Sequence, residues 1–588
     1  DSLARARGIG VMSLALRLRD YASVAVDVVH ALAPVSLALA LLIVALVSAL
    51  ARVCHARATL ARAGVGAVPW RPKMLWTVYQ KSARSLLARV EGRFAKTTRG
   101  DGDGRRAFGA VVGTCPFVHI GEAKLARDVL RGTTTKAPLY HAFEAFSGTG
   151  IFTAEGGDWE RKRAEVLRAF AVVGLASLRD RAVDESKRIV DELKSALKLV
   201  TNDGMEVLML PALQRLALRV TFGYLTGKSL DEACDEIGQD RIACEAEYLA
   251  AATTLRHLIP ARARSIWIFS DLLYGLTPVG RLEARNIRAT RSLSSLALRV
   301  AKDDSPLGIL RRGEAHLRER SVDVDGDKFP KGLLDEATTL LFAGHDTQSA
   351  TLSWGLLRLI DHVNIQNDLR ASLKDGLVVE ALGLRANIKP PKKKSSGAAT
   401  TPAWATSAFA PMLESVIRET LRLHPVAPLV VRMLTSNVKS DGMKISRGCA
   451  VGVWLSSVHR DPAVWDDAET FKPKRWLDAS LHMRSASVES ASDEGNGSNN
   501  NSPGGKEDHK RGAERGLKRK GVGYMPFAHG PRSCVGQHLA QVTMRVALAH
   551  LIEAFEFSAS VTTDAATPSV GFTVTPATGA PMTLRNAP

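Results

Sequence analysis

Residues Phe527-Ala-His-Gly-Pro-Arg-Ser-Cys-Val-Gly536 decide how this chain is read. One cysteine, Cys534, stands between two glycines, with Arg532 two residues before it. An apolar pattern of helical period (Leu539, Ala540, Val542, Val546, Ala547) follows directly. A cysteine at the entrance of a helix meets the positive end of the helix dipole, which favours thiolate over thiol. A thiolate is a soft, electron-donating ligand, and on haem iron it favours O–O cleavage. Gly530 and Gly536 allow the tight turns and close backbone approach that a flat macrocycle against the loop requires. Arg532 is suited to pair with an anionic group. A lone cysteine in a glycine-rich turn is more often a buried structural residue, and it is the whole string that argues otherwise.

The stretch resembles the haem-binding loop of the cytochrome P450 family, Phe-x-x-Gly-x-Arg-x-Cys-x-Gly, with every fixed position filled. The resemblance implies Cys534 as the axial ligand of haem b iron. It also implies Phe527 and Gly536 as part of the loop laid against the macrocycle, and Arg532 as a partner of a haem propionate.

With 588 residues and 45% hydrophobic content, the chain is long enough for a large core. Its net charge of +19 suits an anionic membrane, an acidic protein partner or nucleic acid. Neither zinc-finger spacing nor an RNA-binding aromatic signature is present, so membrane and redox partner take precedence over nucleic acid. The cysteines form no CxxC pair, which argues against a disulfide scaffold or structural zinc and suits a reducing compartment.

From the N-terminus, residues 1–30 are a basic segment, and 31–51 run without a charge. About 20 apolar residues span a bilayer core as a helix, so 31–51 is the expected transmembrane anchor. Arginines flank it on both sides, so charge bias leaves its orientation open. The endoplasmic reticulum with a cytosolic catalytic domain is the expected location, and the Arg-rich, acid-poor start leaves a plastid membrane as the alternative. Residues 52–72 form a linker in which Pro69 and Pro72 break any helix. Residues 73–588 are the expected catalytic domain, mainly α with a small β region, interrupted by low-complexity insertions near 385–405 and 485–521.

Within that domain, Trp159 and Arg163 stand four apart, on one helix face. By the family resemblance this pair donates to a haem propionate, as does Arg432 in the β-rich stretch after Pro428. Leu333–Ile360 is apolar nearly all round and is expected to be a buried helix. Its centre carries Ala343-Gly344-His345-Asp346-Thr347, and a glycine and an acid there carry a cost. The resemblance implies that Gly344 makes room for dioxygen and that Asp346 and Thr347 relay protons. Glu419 and Arg422, three apart on an amphipathic helix, can pair. The resemblance adds Arg475 and makes the three a buried structural network. Phe572–Leu584 alternates like a terminal hairpin.

The implied function is a monooxygenase that takes electrons from an NADPH-linked reductase and inserts one oxygen atom into a hydrophobic substrate: a lipid, fatty acid or isoprenoid. A haem-thiolate isomerase or dehydratase needing no reductase, and a non-catalytic haem sensor, are the alternatives. Thr347 argues against the isomerase, because such enzymes often lack the oxygen-side threonine.

Overall fold

The computed structural model describes residues 44, 47–63, 90–94, 106–112, 115–200, 204–263, 270–313, 320–322, 328–375, 378–379, 382, 410–440, 443–477, 523–559 and 567–588. Most of the expected anchor, the Pro69–Pro72 linker and both expected insertions lie outside these residues. Among the described residues, no helix is long and apolar enough to cross a membrane.

The fold is mainly helical with small sheets. Strands β1 (Ala107–Val112), β2 (Cys115–Ile120), β4 (Leu429–Met433) and β5 (Ala450–Trp454) form a four-stranded sheet in the order β1-β2-β5-β4. Only β2 and β5 run parallel, with Phe117 opposite Ala450 and Ile120 opposite Val453. β3 (Met205–Leu208), β6 (Phe555–Ser558) and β9 (Pro581–Asn586) form a second sheet in the order β6-β9-β3. β7 (Pro568–Val570) and β8 (Val574–Pro576) pair only with each other. The terminal hairpin therefore differs from the expected one. Its turn is Gly571–Thr573, so Phe572 sits at the tip, while 581–586 joins another sheet.

Helices α1 (Ala123–Gly132), α2 (Gly156–Lys198), α3 (Met209–Thr226), α4 (Arg241–Ala263), α5 (Pro278–Val300), α6 (Lys331–Asp361), α7 (Pro411–Leu423) and α8 (Gln537–Ala554) make the helical body. α2 is two helical halves meeting at Gly174, whose φ of 71° breaks the run. α6 is the axis of the core: Leu333, Leu341, Leu352, Leu356 and Leu359 are all fully or almost fully buried. Each such leucine contributes about 1.5–3 kcal/mol relative to an exposed one, which holds α6 in place despite the polar residues at its centre.

At Gly344, α6 packs tightly against α3. A Cβ there would lie 2.5 Å from Thr221 Cγ2 and 2.8 Å from its hydroxyl oxygen, so only glycine permits this approach. The cost of a mid-helix glycine, about 1 kcal/mol against alanine, is offset by helix packing. Beside it Ala343 is exposed and Thr347 half-buried, although the helix around them is buried.

Candidate haem-binding site

The loop before α8 is built by its own backbone. The Cys534 N–H donates to Phe527 O over 2.9 Å, and the Ser533 N–H to Gly530 O over 2.9 Å. Gly530 has a φ of 78°, and a Cβ on it would meet Leu130 O at 2.3 Å, so the loop and the end of α1 approach to a distance no other residue allows. Ala528 also has positive φ, 61°, without being glycine, a strained conformation kept by its surroundings. Phe527 packs against the main core, and Gly536 caps α8.

Cys534 is a free cysteine exposed to solvent. Its thiol is nonetheless pushed up in pKa by the protein around it, opposed by the Gly536 N–H and by the charge of Arg163. A group that solvent reaches yet protein surrounds lines an internal slot. The backbone and cation that favour its anion are those expected at a helix entrance.

A haem also brings two carboxylates, and buried cations are present to meet them. Lys136 and Arg432 face Arg532, whose side chain is 4% exposed. Burial and its two neighbouring arginines push the Lys136 amine well below its ordinary pKa, opposed by Glu155. Burial likewise lowers Arg532 to about 10, with Glu155 opposing and Arg432 adding to the shift. The Lys136 ammonium donates to Phe152 O and lies 4.4 Å from the Tyr140 ring centroid and 3.6 Å from that of Phe152. Arg532 donates to Ala154 O over 2.7 Å, stands 3.4 Å from Glu155, and lays its guanidinium 4.2 Å from the centroid of the Trp159 ring.

Arg532 Nε and Nη1 and Arg432 Nε are buried without a hydrogen-bond partner. Unpaired buried guanidinium N–H groups are costly. The basic side chains here outnumber the single carboxylate of Glu155. Two carboxylates would offset that excess and satisfy those donors, so the residues present fit a haem.

Trp159 joins this cluster through its ring, and Arg163 adds its charge to those acting on Arg532 while donating from Nη1 to Ser533 O over 2.8 Å and from Nη2 to Ser533 Oγ over 3.3 Å. A spacing of four put both on one face of α2, but which neighbour each meets is set by the loop opposite. Lys136 had no signal in the sequence, being a single lysine outside any periodic pattern.

On α6, Thr347 Oγ1 donates back to Ala343 O over 2.9 Å, which keeps the hydroxyl at the accessible part of the helix. Asp346 turns the other way and is buried, accepting from Arg256 Nη1 over 3.2 Å and from Thr573 Oγ1 over 2.5 Å. Phe572, at the same hairpin tip, packs edge-on to Phe143 and Phe152 at 5.3 and 5.4 Å and tilts against Phe342 of α6 at 5.8 Å. This aromatic wall offers apolar surface beside the accessible centre of α6.

Behind the loop, the structure brings Glu419, Arg422 and Arg475 together. Glu419 accepts from Arg422 twice at 2.9 Å and from Arg475 Nε at 3.0 Å. The Trp476 indole N–H, at 2.9 Å, and the Lys472 backbone N–H, at 2.8 Å, complete its shell.

The family model described as Cytochrome P450 matches residues 105–579. Among curated proteins, the chain is similar to Cytochrome P450 4F2 of Homo sapiens, 25% identical over 460 residues covering 74% of each chain. It is also similar to Cytochrome P450 4c21 of Blattella germanica, 22% identical over 76% of this chain and 79% of the relative. Cytochrome P450 4V2 of Mus musculus is 22% identical over 76% of this chain and 75% of the relative. With a cysteine loop and buried cations that fit the haem-thiolate cofactor, and a family match over most of its length, the chain belongs to the cytochrome P450 family of haem-dependent monooxygenase enzymes.

Proposed function

We propose that the protein is a membrane-anchored monooxygenase that inserts one atom of dioxygen into a hydrophobic substrate, a fatty acid, other lipid or isoprenoid, with electrons from an NADPH-linked reductase. The observation that carries this reading is an accessible thiol at a helix entrance in the same molecule as an accessible threonine midway along an otherwise buried helix. Bound haem supplies the chemistry that splits dioxygen, and a thiolate ligand favours that cleavage.

In this reading Cys534 ligates iron, within the loop shaped by Phe527 and Gly536. Arg163, Arg432 and Arg532, with Lys136 beside them, hold the two carboxylates, and Trp159 braces Arg532 through its ring. Thr347 holds a proton at its hydroxyl oxygen, and Asp346, the next residue along α6, exchanges protons with the interior. Gly344 allows α6 to lie where these two groups are needed. Glu419, Arg422 and Arg475 fix the wall behind the ligand loop. The phenylalanine wall excludes water and favours an apolar substrate. The uncharged run 31–51 serves as a single-pass anchor, with residues 73–588 as the catalytic domain on the cytosolic side of the endoplasmic reticulum.

The test uses full-length protein in detergent or nanodiscs with purified NADPH–cytochrome P450 reductase. The reduced protein under carbon monoxide is expected to show the thiolate-type absorbance band, and Cys534→Ser to lack it. NADPH consumption is expected to rise with members of a panel of medium- and long-chain fatty acids, sterols and isoprenoids. Consumption that no lipid in the panel changes would refute the oxygen-insertion reading.

A further inference from the structure

Both side chains that hold Asp346 are mounted at one point. Arg256 gives its guanidinium to one carboxylate oxygen and its carbonyl to the hairpin tip, where the Phe572 N–H donates to Arg256 O over 2.8 Å. That carbonyl is open to the tip because Pro260, one helical turn on in α4, has no N–H to offer it. A Cβ on Gly571 would lie 2.4 Å from the same oxygen, so only glycine lets the tip seat there. The turn is closed on itself by a bond from the Gly571 N–H to Thr573 O at 3.0 Å, so Phe572 and Thr573 move together. Val574, directly after, is pinned: its N–H donates to Val426 O over 2.8 Å, and its carbonyl accepts the Trp354 indole N–H at 3.0 Å. The tip is therefore a short lever on a fixed base. One arm, the Phe572 ring, is half-buried on the aromatic wall, and the other, the Thr573 hydroxyl, is fully buried on Asp346.

We infer that Thr573 is a positioning residue that holds Asp346 while the apolar site is empty, and that a hydrophobic chain displacing the Phe572 ring lifts Thr573 away and leaves the acid free to pass protons toward Thr347. This role rests on the apolar site and the proton handling proposed above. It ties proton supply to the presence of a substrate. By linkage, the effect of a ligand on the Thr573–Asp346 bond is also the effect of that bond on the ligand's affinity. A ligand that has to break the bond therefore binds more weakly for its presence.

The probe is 1-dodecylimidazole, added to full-length, haem-loaded protein. Its ring nitrogen ligates ferric iron, and its dodecyl chain has to lie in the apolar site. A protein that shows the thiolate-type carbon monoxide band but no nitrogen-type spectral shift with this probe excludes an apolar chain from its iron, and the proposed function then falls together with the lever. Where the shift appears, titration decides the lever alone. Thr573→Val is expected to bind the probe about 10-fold or more tightly than wild type, the scale of one hydrogen bond to a charged group. Thr573→Ser, which keeps the hydroxyl, is expected to bind like wild type. Loss of a merely structural contact would weaken binding instead. In a Phe572→Ala background, where the chain no longer meets the ring, adding Thr573→Val should leave the affinity unchanged. Amide hydrogen exchange on the wild type needs no variant to fold: exchange at Phe572 should become faster with the probe bound, because the bond to Arg256 O is lost. Equal or weaker binding by Thr573→Val, or a Phe572 amide at least as protected with the probe as without it, overturns the inference.

Discussion

The Thr573 hydroxyl donates to Asp346 Oδ2 over 2.5 Å, across 227 residues of sequence. Arg256 Nη1 takes the other carboxylate oxygen at 3.2 Å, and the Arg256 carbonyl accepts the Phe572 N–H at 2.8 Å. A helix, the tip of a hairpin and the central helix are thus joined at one buried carboxylate. Phe572 lies on the aromatic wall and Thr573 on the acid, so displacement of the hairpin tip acts on both.

If Asp346 and Thr347 move protons as proposed, disturbing either side of the acid changes how NADPH is spent. Thr347→Ala removes the hydroxyl at the accessible face of α6 and is expected to cut product formed per NADPH by about 10-fold or more, the low end of what a positioned proton donor contributes. Thr573→Val leaves Thr347 in place and removes one donor from the carboxylate, at a cost of about 1–3 kcal/mol for the unmet acceptor. A smaller loss of coupling is expected there. Hydrogen peroxide released per NADPH reads the effect even before the physiological substrate is known. Peroxide yields equal to wild type in both variants would remove Asp346 and Thr347 from proton handling.

Glu419 is fully buried and surrounded by two guanidinium groups, an indole N–H and a backbone N–H. Arg422, also fully buried, in addition donates to the carbonyls of His459, Ala468 and Thr470. Removing the carboxylate strands a buried cation, whereas the intact pair contributes far less than its Coulomb attraction. Glu419→Ala is expected to lower stability by about 3–5 kcal/mol, seen as a lower urea midpoint with an unchanged slope. A loss under about 1 kcal/mol, the range of a surface pair, would mean that water reaches the site.

What could be read from the sequence divides along the range of the interactions. Glu419 and Arg422 are three residues apart on one helix, and their pairing follows from helical geometry alone. The turns of the ligand loop are likewise local: the bonds from the Cys534 N–H to Phe527 O and from the Ser533 N–H to Gly530 O run within Phe527–Gly536. Asp346 was legible as a costly residue at a helix centre, but its partners were not, since Arg256 and Thr573 share no spacing with it and meet it only through tertiary packing. Gly344 shows a subtler limit. The cost of a glycine at a helix centre was evident, but one contact that requires it, the Thr221 side chain 2.5 Å from where a Cβ would lie, belongs to another helix. Lys136 resembled any loop lysine, because only the folded chain sets it beside Arg432 and Arg532.

The same core makes stability depend on pH through His459. Its ring is fully buried, Nε2 accepts the Met525 N–H over 3.1 Å, and its own carbonyl accepts from Arg422. Burial first, and then the nearby charges of Arg422 and Arg460, lower its pKa to about 3 from the ordinary 6.5. Between those two values the unfolded chain binds a proton that the folded one refuses, so stability rises with pH across this window and falls on acidification. At about 1.4 kcal/mol per pH unit, going from pH 6.5 to 5 costs about 2 kcal/mol through this one residue. Glutamine can still accept at that position but does not titrate, so His459→Gln should lose about 2 kcal/mol less than wild type over that interval. Urea titrations at the two pH values make the comparison. Identical pH slopes in the two proteins would show that His459 is not held neutral by the fold.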